Sequence, residues 1–149
     1  MGYDLSNRER GFRWNIWGWG NVINLGLAYD WQPKGTELDK NAYEHYEDYE
    51  EHSKHFEGGY FGNDGQIVHA EDAKALSDSL ESALDDIPDE DLNNYPEGGV
   101  PINKDFFEKR SKIWNQEKAT LVTAFSGEKS KGYLRDFISF LREGAFAIY

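Results

Sequence analysis

The chain of 149 residues has no cysteine, one methionine and four prolines. The absence of cysteine excludes a disulfide framework, a zinc site built on thiolates and a cysteine nucleophile. No apolar stretch approaches the roughly 18 residues that a membrane span needs, and no basic head precedes an apolar run at the N-terminus. We therefore expect a cytoplasmic protein that is neither secreted nor embedded in a membrane.

Basic residues are also scarce, because 16 of them face 28 acids and leave a net charge of −12. The acid is concentrated in residues 34–97, which hold nineteen acids and four bases, whereas residues 98–149 are net positive. The negative electrostatic field of these acids repels nucleic acid phosphates and favours encounter with cationic partners. The pattern predicts a basic protein partner and no nucleic acid partner. The alternative interpretation is that the acid is only a solubility coat.

Aromatic area is abundant near the N-terminus, where four of the five tryptophans fall between residues 14 and 31. Each such side chain buries roughly 150–250 Å², so this region should nucleate the core. The spacing predicts a helix from about Arg13 to Tyr29 with Trp14 and Trp17 in the core, although Trp17-Gly18-Trp19 also resembles strand alternation. Trp19 would then point elsewhere on the helix, which makes it the better candidate for lining a ligand pocket together with His69, and packing in the core is the alternative.

The remaining pattern predicts one α+β domain over residues 1–149. About four helices, near residues 14–29, 71–86, 105–124 and 132–142, should pack on a small, mostly antiparallel sheet. The sheet would contain an N-terminal strand, a C-terminal strand at residues 145–149 and a hairpin near residues 60–68. Residues 39–57 are predicted to be an exposed helix or a partly ordered excursion. The third helix offers five core candidates: Phe106, Phe107, Ile113, Trp114 and Leu121.

Several short motifs resemble those of a family of small bacterial proteins of unknown function. They are Met1-Gly2-Tyr3-Asp4-Leu5-Ser6-Asn7, Phe12-Arg13-Trp14-Asn15, Tyr60-Phe61-Gly62-Asn63-Asp64-Gly65-Gln66 and the closing Phe146-Ala147-Ile148-Tyr149. The resemblance covers most of the chain apart from residues 36–56. It implies a bacterial cytoplasmic origin and no particular activity.

Two motifs could bind a metal, and neither is complete. His45, His52 and His55 with Asp48 share one face of a helix, but His45 and His52 lie about 10.5 Å apart along its axis. Asp64, Gly65, Ile67 and Glu71 match four positions of a calcium-binding loop, whereas Tyr60 and Gly62 stand where carboxylates are needed. The sequence therefore predicts no metal site.

No catalytic residue can be assigned from the sequence. Ser126-Gly127 lacks the glycine pattern of a nucleophile elbow, and no glycine-rich loop with lysine could cradle a phosphate. With so many acids, adjacent carboxylates arise by chance and single out no general acid or base. No cofactor is predicted.

Three functions remain open on these observations. The first is a binding protein, similar to an acidic inhibitor or an immunity protein, that engages a basic partner through exposed acids and tyrosines. The second is a small-molecule binder or enzyme with an aromatic and acid-lined pocket, and the third is a self-associating structural subunit. The residues expected to contact a basic partner are Tyr46, Glu47, Asp48, Tyr49, Glu50, Glu51, Asp85, Asp86, Asp89, Glu90 and Asp91.

Overall fold

A computed structural model describes residues 2–92 and 116–149 of the chain. These residues form an α+β fold, which confirms the predicted class. The strands are β1 (Gly2–Ser6), β2 (Gly11–Asn15), β3 (Gln66–Val68) and β4 (Phe146–Ile148). The helices are α1 (Ile16–Ala28), α2 (Tyr46–Ser53), α3 (Ala70–Leu84), α4 (Gln116–Ala124) and α5 (Glu128–Leu141), with a short 3₁₀ turn at Lys40–Ala42.

The four strands form one antiparallel sheet in the order β2-β1-β4-β3. The two ends of the chain meet in its centre, since the Tyr149 backbone N–H donates to Asp4 O at 2.8 Å and the Asp4 N–H donates to Tyr149 O at 3.0 Å. This pairing confirms that the N- and C-terminal strands share a sheet. The outer edge of β2 is partly covered, because the Tyr133 hydroxyl of α5 donates to the Arg13 carbonyl.

The first helix begins later than predicted, because residues 11–15 form a strand. Asn7 turns the chain after β1 by accepting hydrogen bonds at Oδ1 from the Glu9 and Arg10 amides, and β2 returns beside β1. Asn15 then ends β2 and caps α1, since its Oδ1 accepts from the Gly18 amide at 2.6 Å. The prediction of helix at residues 13–15 was therefore wrong, and the hairpin between β1 and β2 is the reason.

The region of residues 60–68 contributes one strand rather than a local hairpin. β3 pairs with β4 on one side and forms a single bridge with Glu37 on the other. Gln66 is fully buried, and its Nε2 donates to the carbonyls of Gly59 and Gly62. A side chain thus satisfies the backbone groups that a second strand would have paired.

One hydrophobic core joins the sheet to α1, α3, α4 and α5. α3 buries Ala73, Leu76, Leu80 and Ala83, which recur at helical spacing, and packs against α5, and Leu121 is buried as expected. The other four core candidates of the third predicted helix lie outside the described residues. α2 contains no buried residue, which agrees with an exposed helix in this part of the chain.

Two buried charges connect the loops to the helices. Asp72, in the first turn of α3, accepts from the Trp31 indole at 3.1 Å, from the Lys34 amide at 3.3 Å and from the Tyr60 hydroxyl. Lys131 of α5 donates to the Ile87 carbonyl at 2.9 Å and to Asp89 at 2.7 Å. Both groups are hydrogen-bonded, and this offsets the free-energy cost of burying a polar side chain.

Candidate functional site

The first candidate surface, called here the α2 acidic surface, comprises Tyr46, Glu47, Asp48, Tyr49, Glu50 and Glu51. Its four carboxylates are exposed, and Tyr46 is 59% exposed. Glu51 pairs with Lys54 at 3.3 Å and lies 3.8 Å from His55, all within the same segment. Across residues 2–92 and 116–149, no basic side chain forms an ion pair with Glu47, Asp48 or Glu50. These three charges therefore face solvent uncompensated by the described part of the protein.

Aromatic contacts and one histidine attach α2 to the rest of the molecule. The Tyr43 ring packs edge-on against Tyr49 and His52, with centroids 5.6 and 5.9 Å apart. The Tyr43 hydroxyl and His52 Nδ1 share a hydrogen bond, and His52 Nε2 lies 3.5 Å from Asp64 Oδ1. Burial and the charge of Asp64 raise the pKa of Tyr43, so its phenol stays protonated at neutral pH. This arrangement fixes α2 and leaves its acids on the outside.

In the second predicted acidic segment, residues 85–91, at least two of the five acids bond to the rest of the fold. Asp86 accepts a hydrogen bond from the Tyr29 hydroxyl at 2.7 Å, and Asp89 accepts from Lys131. The Lys131 ammonium lowers the pKa of Asp89 from its ordinary value. Asp85, Glu90 and Asp91 are exposed.

The two acidic segments also lie at opposite ends of α3. α2 reaches the 60–66 segment through His52, whose Nε2 lies near Asp64, and Tyr60 of that segment bonds to Asp72 in the first turn of α3. Residues 85–91 follow the last turn of α3. A helix of this length extends about 22 Å. The two segments are therefore attached to opposite ends of this helix.

Trp17 and Trp19 take the opposite roles to those predicted, whereas Trp14 is buried as expected. Trp19 is fully buried and its Nε1 donates to the Tyr60 carbonyl at 2.8 Å, so the prediction that it lines a pocket was wrong. Trp17 was expected in the core and is 81% exposed. The physical reason is the helix phase: Trp19, Val22, Ile23 and Gly26 follow the i, i+3, i+4, i+7 spacing and face the core. That spacing was readable in the sequence.

The second predicted pocket residue, His69, is an exposed cap rather than part of a described cavity. It precedes the first turn of α3, and its Nε2 lies 3.1 Å from Glu37 Oε2. Glu37 also pairs through its backbone with Ile67. The His69–Glu37 pair therefore connects the loop before α2 to the start of α3, and His69 does not line the aromatic groove described next.

The residues proposed for metal binding do not come together as one ligand set. His45 precedes α2, and His52 and Asp64 lie beside each other, whereas Glu71 is in the first turn of α3, 3.7 Å from Lys34. Within the parts of the chain that the structure describes, no group of three His, Asp or Glu side chains is arranged to hold an ion.

A groove of about 800 Å³ lies between α1 and α5, and sequence reasoning did not find it. Trp14, Phe125 and Tyr133 supply aromatic lining, and the exposed Trp17 stands on the α1 side. The Trp14 ring meets the Phe125 and Tyr133 rings edge-on. The α5 side carries polar and small residues. We call this cavity the α1–α5 groove. Its lining is completed by Asn15, Gly18, Asn21, Ala124, Glu128, Lys129, Ser130, Gly132 and Asp136.

No helix among the described residues is both long and apolar enough to cross a membrane. The sequence matches no known family, no curated protein and no solved structure. The α2 acidic surface and the α1–α5 groove are therefore the two features of the molecule that bear on its function.

Proposed function

We propose that this protein is a binding protein of the bacterial cytoplasm that engages a basic protein partner, in the manner of an acidic inhibitor or immunity protein. One observation carries the proposal: Glu47, Asp48 and Glu50 lie together on an exposed helix without an ion pair in the described residues. Like charges this close repel each other, so an incoming cationic surface relieves a cost that the free protein bears.

The α2 acidic surface also offers apolar contact. Tyr46 is exposed beside the carboxylates, and its ring packs against Tyr49 at 5.9 Å. Charges at the rim of an interface mainly set the association rate, whereas aromatic anchors contribute more of the affinity. The combination suits a protein partner better than simple counter-ions.

The test compares two triple variants of equal charge change. Glu47→Gln, Asp48→Asn and Glu50→Gln remove the uncompensated charges of α2, and Glu9→Gln, Asp30→Asn and Glu71→Gln remove three exposed charges elsewhere. Proteins captured from a bacterial lysate are identified, and the basic ones are purified for affinity measurements at low and high salt. We expect the α2 triple variant to weaken binding about ten-fold or more and to flatten the salt dependence, and the control to do neither.

Equal losses in the two triple variants would contradict the proposal, because net charge alone would then explain binding. So would a partner whose affinity does not depend on salt. In either case the acids of α2 act as a solubility coat.

A second candidate function is ligand binding in the α1–α5 groove. The groove has the aromatic and acidic lining expected of a ligand pocket. The residues that line it are different from the predicted Trp19 and His69. Binding sites of about this volume are common for small ligands and peptide side chains.

A further inference from the structure

The α1–α5 groove contains a helical glycine that its packing does not require. A Cβ atom built on Gly132 would meet no other atom within 4 Å, and its backbone is ordinary helix. Glycine is disfavoured in a helix interior relative to alanine. By contrast, a Cβ on Gly18 would approach the Trp14 ring to 2.7 Å, so packing explains that glycine. Gly132 therefore leaves space in the groove wall.

Two carboxylates flank that space. Glu128, Gly132 and Asp136 are spaced by four residues, so they follow one face of α5 about 6 Å apart along the axis. All three line the groove, and the two acids are exposed. The glycine thus forms a slot with an acid at each end.

Of the two acids, Asp136 is the one whose negative charge is not balanced by a positive group of the groove. Lys129 also lines the groove, and Glu128 lies in the first turn of α5, where the helix end is positive. Asp136 is two turns further along, and no described basic side chain forms an ion pair with it. Arg10 is close enough to interact electrostatically with Asp136, but Glu143 holds it at 2.8 Å.

Two exposed aromatic rings also border the groove, Trp17 on α1 and Tyr133 on α5. Trp17 presents its indole with 81% exposure, and Tyr133 is 43% exposed. Burial raises the pKa of Tyr133, which keeps its hydroxyl neutral. A planar guanidinium stacks on an indole face and pairs with carboxylates in two directions, which an ammonium does less well.

We propose that the α1–α5 groove binds an arginine side chain presented by a peptide segment of a basic protein. The guanidinium occupies the slot at Gly132, stacks on Trp17 and pairs with Asp136, while apolar neighbours of the arginine contact Trp14 and Phe125. The net charge of −12 favours the approach of such a segment. This inference rests on the second candidate function and does not involve the α2 acidic surface.

The test uses two blocked pentapeptides, Ala-Leu-Arg-Leu-Ala and the same peptide with citrulline, which is neutral and nearly the same shape. Each is titrated into the full chain labelled with ¹⁵N, and the indole and backbone N–H signals are followed by NMR. We expect the arginine peptide to shift the Trp17 indole signal and the amides of residues 129–136. We expect the citrulline peptide to bind about ten-fold more weakly, because it loses the charge-assisted hydrogen bonds.

Matched variants locate the site. Gly132→Leu should weaken the arginine peptide about ten-fold by filling the slot. Gly20→Leu is the control, since Gly20 is also a helical glycine with open space around its Cβ but does not line the groove. Asp136→Asn should reduce the preference for arginine over citrulline, and Trp17→Ala should weaken binding about two- to five-fold.

The possible outcomes distinguish arginine recognition from ligand binding in the groove in general. If both peptides bind the groove equally, ligand binding stands and the arginine inference is wrong. If neither peptide shifts a groove residue, both are wrong. Tighter binding of a third peptide with glutamate at the centre would show that the helix N-termini and Lys129 dominate, which also overturns the inference.

Discussion

At the scale of single residues, Asp72 shows how one buried acid organises several loops. It is 1% exposed and accepts hydrogen bonds from the side chains of Trp31 and Tyr60 and from the Lys34 amide. Tyr60 accepts in turn from the Gly35 amide at 3.0 Å. The pKa of Tyr60 is raised because burial and the hydrogen bond to Asp72 both favour the neutral phenol. The segments before α2 and before β3 thus meet at the first turn of α3.

We expect Asp72→Asn to lower the free energy of unfolding by about 1.5–3 kcal/mol, since a charged acceptor is replaced by a group that presents a donor to Tyr60. Chemical denaturation monitored by circular dichroism measures the change. Asp78→Asn is the control on the exposed face of the same helix, and it should cost less than about 1 kcal/mol. Equal effects of the two substitutions would show that the hydrogen bonds of Asp72 contribute little to stability.

At the scale of elements, the last turn of α3 and the start of α5 are joined by a buried lysine. Lys131 is 7% exposed and reaches the Ile87 carbonyl, which follows the end of α3. Its second contact, with Asp89, holds the acidic segment against the helix pair. Breaking this contact should affect how α3 and α5 are connected rather than the core between them.

The Lys131–Asp89 pair makes stability depend on pH in a defined direction. The folded state lowers the pKa of Asp89 below its ordinary 3.8. The stabilisation is therefore complete above the ordinary pKa and is lost as the pH falls through the folded value. We expect the native protein to be more stable than Asp89→Asn at neutral pH, and the difference to shrink below about pH 4.

Thermal unfolding across this pH range measures the effect. Glu90→Gln is the control, because it removes a charge from the same turn and leaves the Lys131–Asp89 bond in place. A constant difference between the native protein and Asp89→Asn down to low pH would contradict the pKa assignment.

At the scale of the whole molecule, the closing strand holds the sheet together. β4 lies between β1 and β3, and its Phe146 and Ile148 are almost completely buried. Fully burying one such side chain contributes roughly 1.5–3 kcal/mol, against a typical total stability of about 5–15 kcal/mol. The last strand in the sequence is therefore as central as the first.

We expect deletion of residues 145–149 to abolish cooperative folding of the whole chain rather than to fray one end. The expected signs are a loss of NMR signal dispersion and a thermal transition that is broad or absent. A full-length chain with Ala145→Ser, an exposed position, should fold normally. Cooperative unfolding of the truncated chain near the native midpoint would contradict the central role of β4.

The sequence by itself determined the features that depend on local spacing. The apolar face of α3 at Ala73, Leu76, Leu80 and Ala83 predicts that helix and its buried side, since these positions recur at helical intervals. The alternation at each end of the chain likewise predicted the two terminal strands. The surplus of acids around Glu47 to Glu51 follows from composition alone, and so does the exposure of α2.

Only the tertiary structure decided where α1 begins and where a groove forms. Asn15 ends a strand that pairs with β1, and this pairing places Trp14 on the strand and the start of α1 after it. The α1–α5 groove joins Trp17 to Asp136, more than a hundred residues away in sequence. Local periodicity carries no information about such a contact, because it arises from the packing of two helices on a shared core.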